Sequence, residues 1–163
     1  MLSFNYIQRG RKMKKAVILV FALAVSGIAL KTHEQERPGN MELGIIIGDP
    51  TGLSGKCWTG ADTAFDFGLA WSLRGTGSMH IHSDYLLHRD WNPDELQFRL
   101  YYGLGARLLL TETPKIALRI PGGVQYLIEG TRFGLFFELA PLMNIIPEIG
   151  FEVNGGLGVR YFI

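Results

Sequence analysis

The chain has 163 residues, of which 47% are hydrophobic, 12% aromatic and 19% charged, and it contains 21 glycines. This length corresponds to one domain, and the composition is typical of a β-rich protein rather than a disordered one. The formal net charge of +1, spread along the chain, excludes the basic surface of a nucleic-acid-binding protein. The single cysteine, Cys57, excludes an intramolecular disulfide and a multi-cysteine metal site.

The first predicted element is an N-terminal targeting segment. Four basic residues between positions 11 and 15 precede an apolar run over 16–30, and a polar stretch follows. The run is shorter than the roughly 20 residues that a membrane-spanning helix needs. Gly27 and Ala29 supply the small residues of a cleavage site, so we predict a secretory signal peptide that is cleaved near Ala29. An uncleaved single-helix anchor is the alternative.

The targeting segment sets the predicted domain boundaries. Residues 1–29 are the signal peptide, 30–40 a short polar linker, and 41–163 a single β-domain. A second methionine, Met13, directly precedes two lysines. Residues 1–12 therefore fit an extension from an upstream start codon.

The rest of the chain divides into eight segments in which apolar and polar residues alternate. Glycine, proline or charged turns separate the segments, and one longer polar loop is predicted over 89–96. A period of two is that of a β-strand with one apolar and one polar face. The predicted strands, in chain order, are 41–48, 52–58, 62–73, 78–88, 97–110, 115–128, 132–142 and 150–163.

The two faces of these strands differ in size as well as in polarity. The apolar face carries large residues, such as Phe65 and Phe67, whereas the other face carries charges and small residues, such as Gly68 and Gly103. A soluble barrel needs no glycines on its wet face, but a narrow interior does. Eight strands close into a barrel that side chains just fill, so polar residues inside and aliphatic residues outside indicate a lipid environment. The predicted fold is an all-β, eight-stranded antiparallel up-and-down transmembrane β-barrel.

The polar faces define a predicted lumen network in which acidic and basic side chains nearly balance. Buried charges are costly unless they are paired, so this balance favours a salt-bridged plug. A narrow gated conduit, in which the pairs exchange partners, is the alternative. The network comprises Glu42, Lys56, Asp62, Asp66, His80, His82, Asp84, Arg99, Arg107, Arg119, Glu138, Glu152 and Arg160, together with Lys115.

One group in this network has the side chains for chemistry. His80, His82 and Asp84 alternate along one strand, so they point the same way and suit a metal ion or an activated nucleophile. A metal would need a further ligand from another strand, and Asp66 and Glu42 are the candidates. The simpler interpretation is that both histidines join the lumen network. We therefore predict no metal site and no cofactor.

Several of these features resemble a known class of protein. The signal peptide, the eight alternating strands and the terminal LGVRYFI (157–163) resemble the small eight-stranded outer-membrane barrels, typified by the transmembrane domain of outer-membrane protein A. More narrowly, LGIIIGDPTGLSGK (43–56) and MHIHSDYLLH (79–88) resemble a family of such barrels that has no assigned activity. The resemblance covers 41–163 and implies a location in the outer membrane, with lipid and the barrel-assembly machinery as partners.

The resemblance also implies an assembly signal in the last strand. Such barrels usually end in Phe, with apolar or aromatic residues two, four and six positions earlier. Here those positions are held by Ile163, Tyr161, Val159 and Leu157. The terminal Ile departs from the pattern, and the aromatic Phe162 is penultimate.

An enzymatic role has less support. Some outer-membrane barrels modify lipid A, and the deacylases among them carry a His-x-Ser pair that faces lipid. This chain has Ser78-Met79-His80 and His82-Ser83, in a different order and spacing. We therefore predict a monomeric, non-enzymatic barrel with a structural role in the envelope; the alternatives are a narrow pore or a small-ligand-binding barrel, and then a lipid-modifying enzyme.

Loops and aromatic residues complete the prediction. With both termini in the periplasm, the outward loops near 49–50, 74–77, 111–114 and 144–148 are short, which argues against a large receptor surface. Candidates for aromatic girdles at the membrane interfaces are Trp58, Trp71, Trp91, Tyr85, Tyr126 and Tyr161.

Overall fold

The computed structural model describes residues 38–72, 78–91 and 96–163, which all lie in the unit Thr32–Ile163. The predicted signal peptide lies outside the described residues. No helix in the described part of the chain is long and apolar enough to cross a membrane. The strands are β1 (Met41–Asp49), β2 (Gly52–Trp58), β3 (Thr63–Ser72), β4 (Ser78–Trp91), β5 (Phe98–Leu110), β6 (Lys115–Arg119), β7 (Gly122–Leu127), β8 (Phe133–Ile146) and β9 (Gly150–Phe162).

These strands form a closed ring in which every neighbouring pair is antiparallel. Each strand pairs with the next along the chain except β6 and β7, which together occupy one position between β5 and β8. β9 closes the ring on β1, where Ile45 lies opposite Val159 and the Ile163 N–H donates to the Met41 carbonyl at 2.8 Å. The ring therefore has eight strand positions. The predicted all-β, eight-stranded, up-and-down antiparallel architecture is confirmed.

The prediction of one unbroken strand over 115–128 is wrong. Pro121 divides this stretch into β6 and β7, because proline has no N–H to donate to the ladder. The neighbouring hydrogen bonds nevertheless remain. The Gly103 N–H donates to the Pro121 carbonyl at 2.9 Å, and the Ile120 N–H donates to the Pro141 carbonyl at 3.0 Å, so the wall stays closed at the break.

Two other strands are longer than predicted. β4 continues to Trp91 and so takes in the start of the predicted loop over 89–96, and β8 continues to Ile146 rather than ending at 142. The polar residues Asp90 and Asn144 indicated loops in the sequence. Both are buried in the barrel, where they continue the inward face of their strands.

The faces of the strands are sorted as the alternation predicted. Along β4 and β8, exposed and buried residues alternate with few exceptions. The exposed positions hold large apolar side chains such as Leu135 and Leu139, whereas the buried positions hold charged ones such as Lys56 and Arg119. This is the reverse of a soluble barrel, which buries its large apolar face.

One end of the lumen is closed by apolar side chains. Trp58, Ala64 and Phe162 are buried together there, and Leu127 packs against them. The prediction that Trp58 belongs to an outer aromatic girdle is wrong, because its side chain is only 8% exposed and lies inside the barrel.

Candidate functional site in the barrel lumen

Charged and polar side chains fill the barrel and form clusters at successive heights. We call the end that holds Met41 and Phe162 the terminal end, and the opposite end, where the β1–β2 and β8–β9 turns lie, the far end. The buried polar side chains come from all the strands of the ring, so each cluster joins strands that are distant in sequence.

At the terminal end, Glu42 of β1 accepts hydrogen bonds from two other strands. The indole Nε1 of Trp58 donates to its Oε1 at 2.6 Å, and Nε2 of Gln125 donates to its Oε2 at 2.8 Å. Glu42 is fully buried, so these two donors replace the water that the carboxylate loses.

Lys56 continues this cluster towards the middle of the lumen. Its Nζ donates to Oε1 of Gln125 at 3.0 Å and to Nε2 of His88 at 3.1 Å. The same ammonium group lies 4.6 Å from the centre of the Tyr101 ring. Hydrogen bonds and a cation–π contact therefore hold a lysine that has no exposed surface.

An ion pair between Asp90 and Arg99 lies at the terminal end of β4 and β5. The guanidinium Nε donates to Oδ1 of Asp90 at 2.5 Å, and the guanidinium carbon lies 5.2 Å from the Trp58 ring. Arg99 was predicted for the lumen, but its partner was not, because the predicted strand ended at residue 88.

The central cluster begins with two carboxylates in direct opposition. Asp66 of β3 lies across from Asp84 of β4, an arrangement that is destabilising unless cations intervene. Arg160 of β9 supplies one cation, with its Nη2 2.7 Å from Oδ1 of Asp66. Arg160 is oriented by Ser54, whose Oγ accepts from Nε at 2.9 Å and from Nη2 at 2.6 Å.

Arg119 of β6 supplies the second cation and binds two carboxylates at once. Its Nη1 donates to Asp84 of β4, and its Nη2 donates to Glu138 of β8. The Tyr101 hydroxyl donates to the other oxygen of Glu138 at 3.1 Å. One buried arginine therefore bridges the two sides of the lumen at its centre.

The histidines lie beside this central cluster. Nε2 of His82 is 3.9 Å from an oxygen of Asp66 and 3.9 Å from an oxygen of Asp84, which is longer than a hydrogen bond. The ring of His80 is 5.5 Å from that of His82. Both histidines are buried on the inward face of β4.

The structure brings Asp66, not Glu42, to the histidine group. One ligand atom each from Asp66, His82 and Asp84 lies within 4.8 Å of the others, which is close enough to hold a metal ion. Asp66 already pairs with Arg160, and Asp84 already pairs with Arg119, so each carboxylate has a cationic partner without a metal. The absence of a metal site stays a prediction.

The far end holds a third cluster that opens towards the surface. Arg107 donates through Nη1 to Glu152 and through Nη2 to Asn144, both at 2.8 Å. Asn144 donates to the other oxygen of Glu152 at 2.8 Å, and Nζ of Lys115 is 3.6 Å from it. The Glu152 side chain is 36% exposed, so this cluster forms the mouth of the lumen.

Most of the predicted lumen residues lie inside the barrel, with one difference. Asp62 lies in the turn before β3, where its carbonyl accepts from the His88 N–H at 2.7 Å. Several buried polar residues were missing from the predicted network. These are Ser54, His88, Asp90, Tyr101, Gln125, Asn144 and Asn154. These residues could have been found from the alternation, because a residue that lies an even number of positions from a lumen residue on the same strand also points inward.

The predicted assembly residues have one orientation. Leu157, Tyr161 and Ile163 are exposed on the outside of the barrel, and Val159 is half-buried on the same face. The penultimate Phe162 points inward and is buried.

A tight contact in the central cluster makes a first testable prediction. A Cβ atom added at Gly68 would lie 2.2 Å from Cε1 of His82, which is directly opposite on β4. We expect Gly68→Ala to lower the free energy of unfolding by about 1–3 kcal/mol, the usual cost of overpacking. Urea titration of the refolded barrel measures this, and the double variant Gly68→Ala/His82→Ala should recover much of the loss. A double variant less stable than both single variants would contradict this account.

Comparison with known proteins identifies the architecture. No protein-family model matches the chain, and no curated protein matches it in sequence. The structure is similar to the N-terminal β-barrel domain of Pseudomonas aeruginosa OprF, with a TM-score of 0.55 and 15% sequence identity. The match covers 76% of this chain and 97% of the OprF domain. This chain has the OprF barrel fold. At this identity the likeness establishes the fold alone, so the role of the OprF-like barrel has to be argued from its own residues.

Proposed function

We propose that this protein is an integral outer-membrane β-barrel, closed inside by a salt-bridged plug, with a structural role in the cell envelope. The main support for the proposal is the distribution of side chains, which is the reverse of that in a soluble barrel. Large apolar side chains cover the outside, while charged side chains such as Lys56, Arg119 and Arg160 are buried. Water around such a barrel would meet a continuous apolar surface, whereas lipid is its natural solvent.

The dimensions of the apolar surface support a membrane location. The outward face of β4 runs from Met79 to Trp91. At about 3.4 Å per residue and a tilt of about 40°, this stretch covers roughly 30 Å, the thickness of a bilayer's hydrocarbon core. The closed ring leaves no strand edge for lipid to contact along this height.

Aromatic side chains cluster at the terminal end of the outer surface. The rings of Trp91 and Phe98 are 5.8 Å apart, those of Phe98 and Tyr126 are 5.2 Å apart, and those of Phe133 and Tyr161 are 5.1 Å apart. Such rings are typical of the boundary between hydrocarbon and headgroups. They support a membrane interface at the terminal end.

The orientation follows from the route of the chain. A protein with the predicted secretory signal peptide reaches the outer membrane from the periplasm, and carrying the charged stretch 31–37 before β1 through hydrocarbon is costly. We therefore place the terminal end in the periplasm and the far end outside. The outward residues Leu157, Tyr161 and Ile163 then lie where the barrel-assembly machinery receives the last strand.

The plug is supported by the pairing of the buried charges. Arg119 and Arg160 each bind a carboxylate, and Arg107 and Arg99 do the same at the two ends of the lumen. Among the described residues, every buried arginine is therefore in an ion pair. Arg160 reaches Asp66 on β3, and Arg107 reaches Glu152 on β9, so these two pairs cross the lumen, stabilise the barrel and obstruct its interior.

The proposal includes no catalysis. Ser83 is exposed on the outer face of β4, whereas its neighbour His82 is buried on the inner face. A serine and a histidine on opposite faces of a strand cannot form a nucleophile–base pair. We therefore propose that the protein is not an enzyme.

A narrow conduit is the second candidate, and one observation favours it. Arg119 binds both Asp84 and Glu138, so it can move between two partners and still keep an ion pair of its own. In planar bilayers, we expect the plug to give at most rare, small conductance steps. Frequent steps that change when Arg119 is replaced by Lys would favour the conduit over the plug.

The test of the proposed location is envelope fractionation followed by gels of boiled and unboiled samples. A closed membrane barrel resists detergent, so we expect a band in the outer-membrane fraction that shifts on heating. A periplasmic protein with no heat shift would overturn the proposal, and the apolar face would then have to be covered by something other than lipid.

A further inference from the structure

The outer surface carries a charge where lipid is expected. Arg89 lies on the exposed face of β4, between the exposed apolar side chains of Leu87 and Trp91. On the outward faces of the described strands, the charged residues are Arg89 and Asp49, and Asp49 is the last residue of β1, at the far end. Arg89 is therefore the charge that is flanked by apolar residues on both sides.

None of the described neighbours of Arg89 forms an ion pair with it. Across the sheet it lies opposite Leu100, and the adjacent outward position on β5 towards the terminal end is Phe98. Asp90 follows it in sequence but points into the lumen, where it binds Arg99. No ion pair or hydrogen bond of the Arg89 side chain is found within the described segments 38–72, 78–91 and 96–163.

On its other side, Arg89 lies just beyond the start of β3. β3 begins at Thr63, which pairs with Leu87, so β3 does not reach the level of Arg89. The backbone at this level is held by the turn before β3, through the bond from the His88 N–H to the Asp62 carbonyl. The side chain of Arg89 is thus exposed beside this turn rather than beside a further strand.

The backbone of Arg89 lies just below the level of lipid headgroups. It lies two residues before the end of β4, which corresponds to a depth of roughly 5 Å from the edge of the wall. The aromatic cluster of Trp91, Phe98 and Tyr126 is at the same end. A long arginine side chain at this depth reaches the interface while its stem stays in hydrocarbon.

We propose that Arg89 and the adjoining outer surface of β4 and β5 form a binding site for the phosphate of a phospholipid in the periplasmic leaflet. A guanidinium group binds a phosphate through two parallel hydrogen bonds, and the neighbouring apolar and aromatic residues contact the acyl chains. The periplasmic leaflet is the source because Arg89 is at the terminal end. The inference rests on the proposed membrane location.

The test compares the stability of the full barrel, refolded into vesicles of two kinds. Phosphatidylglycerol vesicles offer a phosphate, and digalactosyldiacylglycerol vesicles offer a sugar headgroup without one. In phosphatidylglycerol we expect Arg89→Leu to raise the equilibrium constant of unfolding roughly tenfold, which is the effect of losing a charge-assisted hydrogen bond. In the glycolipid we expect no loss, or a small gain.

A matched control separates a site from general charge attraction. Arg132 is an exposed arginine at the same end of the barrel, in a turn rather than on the lipid-facing wall. Arg132→Leu should show no difference between the two lipids, and Arg89→Lys should retain part of the phosphatidylglycerol effect. Equal effects of Arg89→Leu and Arg132→Leu, or an effect of Arg89→Leu that is the same in both lipids, would overturn the site. If the unmodified protein inserts into neither vesicle, as judged by the heat-shifted band, the proposed membrane location fails and the site fails with it.

Discussion

We expect Arg119→Met to lower the free energy of unfolding by about 3–5 kcal/mol, the usual cost of removing one partner from a buried ion pair. Arg119 is only 1% exposed, and it binds Asp84 and Glu138 from opposite sides of the lumen. Without it, two carboxylates remain buried, and Asp84 lies directly opposite Asp66. Urea titration in vesicles, with the heat-shifted band as the measure of folded protein, gives the loss.

Control variants identify the source of this loss. Arg119→Lys keeps the charge but cannot bind both carboxylates through a planar fork, so we expect an intermediate loss. The triple variant Arg119→Met/Asp84→Asn/Glu138→Gln removes the charges together, and it should recover most of the stability. If the triple variant is as unstable as Arg119→Met alone, the loss comes from packing around the side chain and not from unpaired charge.

The alternation of residues predicted the barrel because each strand has one face suited to an apolar exterior and one face suited to a polar lumen. In β3, Phe65 and Phe67 lie outside while Asp66 lies inside. A one-residue shift in register would put the charge into lipid and the rings into the lumen. Such a shift is costly, so the sequence specifies the register strictly, and the inward and outward faces could be assigned without a structure.

The ends of the strands could not be predicted in the same way. Asp90 and Asn144 are polar and follow apolar runs, which is also the pattern of a loop. Inside this barrel the polar face is the buried one, so these residues extend β4 and β8 and find partners in Arg99 and Arg107. At Pro121 the error was the reverse, and a strand was predicted to continue where it is interrupted. The apolar alternation continues across this proline, but the proline has no N–H to donate to the neighbouring strand.

The side-chain partners inside the lumen could not be predicted from the sequence, for a geometric reason. Alternation shows which residues point inward, but not which of them meet across the lumen. Glu42 accepts from Gln125, 83 residues later, and Ser54 accepts from Arg160, 106 residues later. These contacts depend on the tilt of the strands and on side-chain rotamers. The balance of charges in the lumen was therefore predictable, but the partners of each charged side chain were not.

A substitution on the outer surface is expected to have the other large effect on stability. Leu139 is an exposed residue at the middle of β8, among the apolar side chains of the outward face. In a bilayer this position is near the midplane, where an arginine costs about 2–4 kcal/mol. We therefore expect Leu139→Arg to lower the free energy of unfolding by about that amount in vesicles, measured by urea titration.

The position dependence of this cost separates lipid from water. Ile145 is on the same face, one residue before the end of β8, where arginine costs only about 0–1 kcal/mol in a bilayer. If water surrounded the barrel, both substitutions would be at exposed sites and would change stability by about 0.5 kcal/mol or less. A large loss at Leu139 with a small one at Ile145 is the profile of a membrane. Equal, small losses at both positions would mean that the apolar face is not in lipid, and the charged lumen would then have to be explained as the core of a soluble barrel.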